Sequence, residues 1–144
     1  MRYKLIPILS CMVLFYIRLI TKVRDKEIRR ESAWALGMIT NRSTIPVLID
    51  ALDDEAWEVR DTAAKSLGRF KDARTIPALI KALKDPVPNV AISAAAALGE
   101  IGTPAKAALM AIIKNPKVSV SIRELVRLYS LGGIKEVSAQ PDDK

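Results

Sequence analysis

The feature that most constrains this chain is a repeat. Leu36-Gly37, Leu67-Gly68 and Leu98-Gly99 recur at a spacing of 31 residues, as do Ile28, Val59 and Val90, and as do Ile45-Pro46 and Ile76-Pro77. The first full unit runs from about Ile28 to Glu58 and the second from about Val59 to Asn89. The third unit is one residue shorter: Asp85-Pro86 maps to Asn115-Pro116 at a spacing of 30, and Val90, Leu98 and Ile101 then map to Val120, Leu128 and Leu131. A unit this short cannot bury its own apolar face, so its copies must stack.

Each unit reads as two helices. In the second unit Asp53-Asp54 precedes the first helix, where an Asp can cap the free amides of the first turn, and Glu55 and Glu58 sit near the positive end of the helix dipole. Val59, Ala63, Leu67 and Phe70 form one apolar stripe. Ile76-Pro77 opens the second helix, since proline is tolerated in a first turn, and Ile76, Leu79, Ile80 and Leu83 give its stripe. The apolar residues are mostly Ala, Leu, Ile and Val, with seven aromatics in the chain, a mix that suits close helix packing; alternating β-branched runs are absent. The fold class is therefore all-α, a right-handed α-solenoid of stacked helical hairpins. Leu67 belongs to its core.

Residues 59–68 (Val-Arg-Asp-Thr-Ala-Ala-Lys-Ser-Leu-Gly) and 76–85 (Ile-Pro-Ala-Leu-Ile-Lys-Ala-Leu-Lys-Asp) resemble the short HEAT-like repeat named after phycobilisome lyases, and the resemblance covers roughly residues 25–131. It is specific for fold and nearly silent on function, because the family serves as scaffold, adaptor, lyase subunit and substrate-recognition module. The resemblance implies that an Arg of the first helix pairs with a loop Asp in a ladder along the array. Here that ladder is Arg29, Asp54, Arg60 and Asp85; Ala91 and Ser121 replace the Arg in later units, so it breaks after the second. Tyr129 replaces the glycine of the fourth unit, and Gly132-Gly133 interrupts the pattern, so the array ends there with one capping helix. Three segments follow: an amino-terminal segment, 1–24; a repeat domain, 25–131; and a disordered tail, 132–144.

The net charge of +7 is concentrated at the amino end. Residues 1–30 carry +6 and residues 31–144 only +1. Three readings of the segment stay open. Leu5 to Ile17 is an uncharged run of 13 residues behind Arg2 and Lys4, the size of a secretory h-region, with Ile8-Leu9-Ser10-Cys11 like a lipoprotein box; the basic cluster after it opposes export. As a membrane anchor it is short of about 20 residues. As structure, Ile6-Pro7-Ile8-Leu9 copies Ile45-Pro46-Val47-Leu48, which makes 5–20 the second helix of a degenerate first unit, with about eight extra residues to absorb.

Nothing catalytic is legible. The chain has no histidine, so Ser–His and Cys–His pairs are ruled out; its one cysteine, Cys11, lies in an apolar run, and there is no glycine-rich phosphate loop and no Cys/His metal spacing. The expectation is a non-enzyme without cofactors. Candidate binding residues are few. Trp34 lies about 240° around its helix from Ile28 and so faces off the core stripe, either as a contact surface or, the preferred reading, packed on the amino-terminal segment. Asp50, Asp53, Asp54, Glu55, Glu58 and Asp61 surround Trp57. They read first as caps and solvated first turns, and otherwise as a docking patch with an aromatic anchor. The resemblance implies that second helices line a concave face. Its off-core positions, Asp50, Lys81 and Ala111, then Asp53, Lys84 and Lys114, run from acidic to basic, which suits a polypeptide of opposite polarity.

The expected function is a protein–protein interaction scaffold or adaptor. The alternatives are an accessory subunit of an enzyme such as a chromophore lyase, and a nucleic-acid-binding module, which the near-neutral body disfavours. The expected partner is another protein. A membrane surface could be met through residues 5–30, and the expected location is cytoplasmic, membrane-associated if the segment is an anchor.

Overall fold

The computed structural model describes residues 5–130; the expected tail, 132–144, and residues 1–4 lie outside them. Eight α-helices follow in order: α1 (Leu5–Lys22), α2 (Lys26–Ile39), α3 (Ile45–Asp50), α4 (Trp57–Phe70), α5 (Ile76–Ala82), α6 (Pro88–Ile101), α7 (Thr103–Lys114) and α8 (Val120–Leu125). No strand occurs among the described residues. The first helices of the units, α2, α4 and α6, pack side by side, and α3, α5 and α7 are the second helices of an α-solenoid.

The leucine period becomes the core. Leu36, Leu67 and Leu98 are fully buried, as are Leu48 and Leu79, with Leu109 at 1%. The glycines beside the first set mark where backbones touch. A Cβ on Gly37 would collide with Ser66 of the next first helix, and one on Gly99 would come within 3.0 Å of the backbone of Ser130. The serines use that closeness: Ser66 Oγ donates to the Ala33 carbonyl at 2.9 Å, and Ser130 Oγ to the Ala95 carbonyl at 2.6 Å. Small residues let each first helix settle into its neighbour, and the hydroxyl turns that proximity into a bond.

Loop geometry refines the capping expectation. The α4 helix starts at Trp57, and its preceding residue, Ala56, has no side-chain cap. Asp54 instead accepts from the Ala56 amide at 2.8 Å, and Asp85 from the Val87 amide at 2.8 Å, so each closes a turn two residues upstream of the helix. Asp25 does cap α2. The second helices of the first two units are entered through 3-10 turns, Arg42–Thr44 and Ala73–Thr75, capped by Asn41 and Asp72. Pro46 and Pro77 occupy the first turns that follow.

Two arginines tie successive units. Arg29 grips Asp54 with Nε at 2.8 Å and Nη2 at 2.9 Å, while its Nη1 donates to the carbonyls of Val23 and Arg24. Arg60 repeats this with Asp85, at 2.7 and 3.1 Å, and with the carbonyls of Asp54 and Glu55. Burial pushes the Asp85 carboxyl up, but the Arg60 guanidinium and the Val87 amide outweigh it and hold it below the usual carboxylate range. At the third unit Ala91 stands where the arginine would be, and the Asn115 side chain bonds only the Lys117 amide among the described residues.

The same offsets place α1. Val23 and Arg24 precede Arg29 by six and five residues, as Asp54 and Glu55 precede Arg60, so the end of α1 stands where the second helix of a preceding unit would end. It is 18 residues long, whereas α3 and the 3-10 turn after it have six and three. The extra length is thus carried as added helical turns. Val13 and Ile20 are buried against α2, with Tyr16 and Ile17 packed beside them.

Two expectations need correction. Ile28 is 41% exposed, unlike its fully buried counterparts Val59 and Val90, because no first helix lies before α2 to cover it among the described residues. Val120 and Leu128 are also exposed rather than core. After α8 the chain widens into a π turn, Val126–Ser130, which shifts the register and sends Val126 and Ser130 inward instead. No helix among the described residues is long and apolar enough to cross a membrane.

Candidate functional site

A groove of about 530 Å3 runs between α2 and α4 on the first-helix face, with Trp34 on one wall and Trp57 on the other. Each tryptophan arrives there for a local reason. Trp34 projects off the buried stripe of Ala33 and Leu36, and Trp57 is the first residue of α4, ahead of the stripe that starts at Val59. They remain 52% and 38% exposed. Trp34 therefore stands half exposed in the groove shared with α4. The residue one period after Trp34 is Lys65, which lines the same groove.

The charged walls are largely self-neutralised. Lys26 Nζ reaches Glu58 at 2.6 Å, Arg30 meets Glu31 at 2.7 Å and Glu27 at 3.1 Å, and Lys65 meets Asp61 at 2.6 Å. The Lys26 hydrogen bond holds the Glu58 carboxyl below its ordinary value, with further help from the backbone. Asp61 also accepts from Ser93 of the next unit. Arg69 instead lies over Met38, 2.9 Å from its sulfur. What the groove offers is thus aromatic surface framed by charges that, Arg69 apart, already have partners. That is the composition of an interface anchor, where burying an indole does not strand an ion.

The acidic cluster separates into its parts. Asp54 and Glu55 serve Arg29, Glu58 serves Lys26, and Asp61 serves Lys65. Asp53 is paired with Lys81 across the second-helix face at 2.8 Å, beside a second groove of about 320 Å3. Asp50 alone of the six has no cation partner among the described residues. The Asp53–Lys81 pair cancels the middle of the expected charge gradient, leaving exposed Asp50 toward one end and exposed Lys84 and Lys114 toward the other. No group of metal-binding side chains converges among the described residues. Sequence reasoning missed Arg30, Lys65 and Arg69 as groove residues. The usable signal was that successive first helices pack directly, so the outer positions of one unit face those of the next.

The sequence matches a family model described as HEAT repeats over residues 16–87 and again over 45–128. No curated protein matches it. Among solved structures it is similar to a chain in the complex of CpcE and CpcF of phycocyanin lyase from Nostoc sp. PCC7120. The identity is 26% and the TM-score 0.66, over 85% of this chain and 53% of that one. This chain therefore spans about half the length of that relative.

Proposed function

The chain belongs to the HEAT-repeat family, and from that premise we propose that it is a non-catalytic adaptor whose α2–α4 groove receives a partner protein. One observation carries this reading: two tryptophans from successive first helices stand exposed across a single groove whose charges, Arg69 apart, are already paired. Exposed indoles in such a frame supply binding energy on burial, about 2 kcal/mol or more for each anchor residue. The similar solved structure is itself a complex of two proteins, which supports a protein as the partner.

The test is recovery of partners by the tagged full chain from its own cells, beside a Trp34→Ser/Trp57→Ser variant. One defined protein should be retained by the parent chain and lost by the variant, with the melting temperature of the variant unchanged. Equal recovery by both would remove the groove as the docking site. The similarity to a phycocyanin lyase subunit favours a second reading, an accessory role in chromophore attachment. A bilin absorbance change on a phycobiliprotein that requires this chain would establish it, and an identical change without the chain would dismiss it.

A further inference from the structure

We propose that the outward face of α1 docks along an anionic lipid surface, lying on it without crossing it. The buried side of α1 is the stripe Val13, Ile17, Ile20. Directly opposite, at steps of four, three and four, stand Cys11, Phe15, Arg18 and Lys22, all exposed. Met12 and Leu14 flank this stripe at 43% and 64% exposure, and Phe15 is 57% exposed. The outward stripe is therefore apolar in its amino half and cationic in its carboxyl half.

The charge identifies the occupant. The helix contains no acidic residue. Arg18, Lys22 and Arg24 are exposed, and none meets a carboxylate among the described residues, whereas Lys26 and Arg30 a few positions later are both paired. An apolar patch continuous with unpaired cations fits the boundary of an anionic bilayer, where acyl chains take Phe15, Met12 and Leu14 while phosphates meet Arg18, Lys22 and Arg24. A second copy packed in parallel would set the cations against themselves, and one packed antiparallel would set them against the apolar half, so neither supplies the anionic partner they lack.

The experiment is sedimentation of the full chain with vesicles of phosphatidylcholine alone and of phosphatidylcholine mixed with phosphatidylserine. The chain should pellet with the mixed vesicles and leave them as salt rises. Each cation near an anionic surface strengthens binding about fivefold, so Arg18→Ser/Lys22→Ser should weaken it about 30-fold. Phe15→Ser should weaken it as well, and since Phe15 also meets Tyr16 edge-on, the charge variant, which should melt like the parent, is the control for folding. A polarity-sensitive fluorophore on Cys11 gives an independent readout, shifting to the blue on mixed vesicles. Failure to pellet with phosphatidylserine, or equal binding by parent and charge variant, would overturn the proposal. So would a concentration-dependent dimer that Phe15→Ser dissolves, which would assign the face to a second copy of the chain.

Discussion

The first two junctions of the array join buried leucines, whereas at the third Leu98 is buried and its counterpart Leu128 is exposed, and the junctions are also held differently. Between α2 and α4, and between α4 and α6, an arginine reaches forward to the next loop's aspartate and back to its own loop's carbonyls. Between α6 and the final helix no such tie occurs among the described residues. There the backbone also departs from the repeat: the 3-10 entry turn is missing, α7 runs 12 residues straight from Gly102, and the last helix opens into a π turn. The lesson is a division of labour. Burial of the leucine stripe makes units stack, and it is indifferent to small slips. The arginine–aspartate tie, with its paired planar geometry, fixes where each unit sits on the last.

The sharpest way to break this comparison is Arg60→Ala, which leaves the half-buried Asp85 without its cation. The expected loss is about 3–5 kcal/mol in urea unfolding, against about 1 kcal/mol or less for Asn115→Ala at the untied junction. Equal losses would mean the tie is incidental. The pair also has a pH signature. Asp85 is held below the ordinary carboxylate value, so its contribution is complete above about pH 4 and lost as pH falls through the depressed native value. Arg60→Ala should shrink that acid limb.

A second test compares contacts that both kinds of junction possess. Gly37→Ala drives a methyl into Ser66, on helices locked by the tie, and should cost about 1–3 kcal/mol. Gly99→Ala meets Ser130 in the π turn, where no tie resists a shift, and should cost less. The same unfolding curves read both; a larger loss at Gly99 would contradict the division. The smallest effect expected is a gain. Installing the tie at the third unit with Ala91→Arg/Asn115→Asp should add about 0.5–2 kcal/mol, seen as a higher melting temperature for the double variant than for either single one.

These contrasts also mark what the sequence could convey. The buried leucines and the exposed face of Trp34 follow from spacing alone, because helical geometry decides them locally. Ile28 and Leu128 have the same local spacing as core residues yet are exposed. Ile28 has no preceding first helix over it, and Leu128 is displaced by a backbone expansion that no periodicity encodes. The aspartates close turns rather than helices, a difference of two residues that propensity does not resolve. The groove itself was illegible for a further reason: Trp34 and Trp57 hold different positions in the repeat, and they meet only because neighbouring units pack.

Asp54 is the point where these arrangements acquire a mechanical meaning. Its carboxylate is held by Arg29 and its carbonyl by Arg60, so one residue is gripped from both directions. A load passed along the solenoid crosses that joint through two separate anchors. Past Asp85 no second grip follows among the described residues, so the next junction rests on packing alone. A partner whose shape demands that this protein bend will find the elbow between α6 and α8, while the tryptophan groove keeps its width.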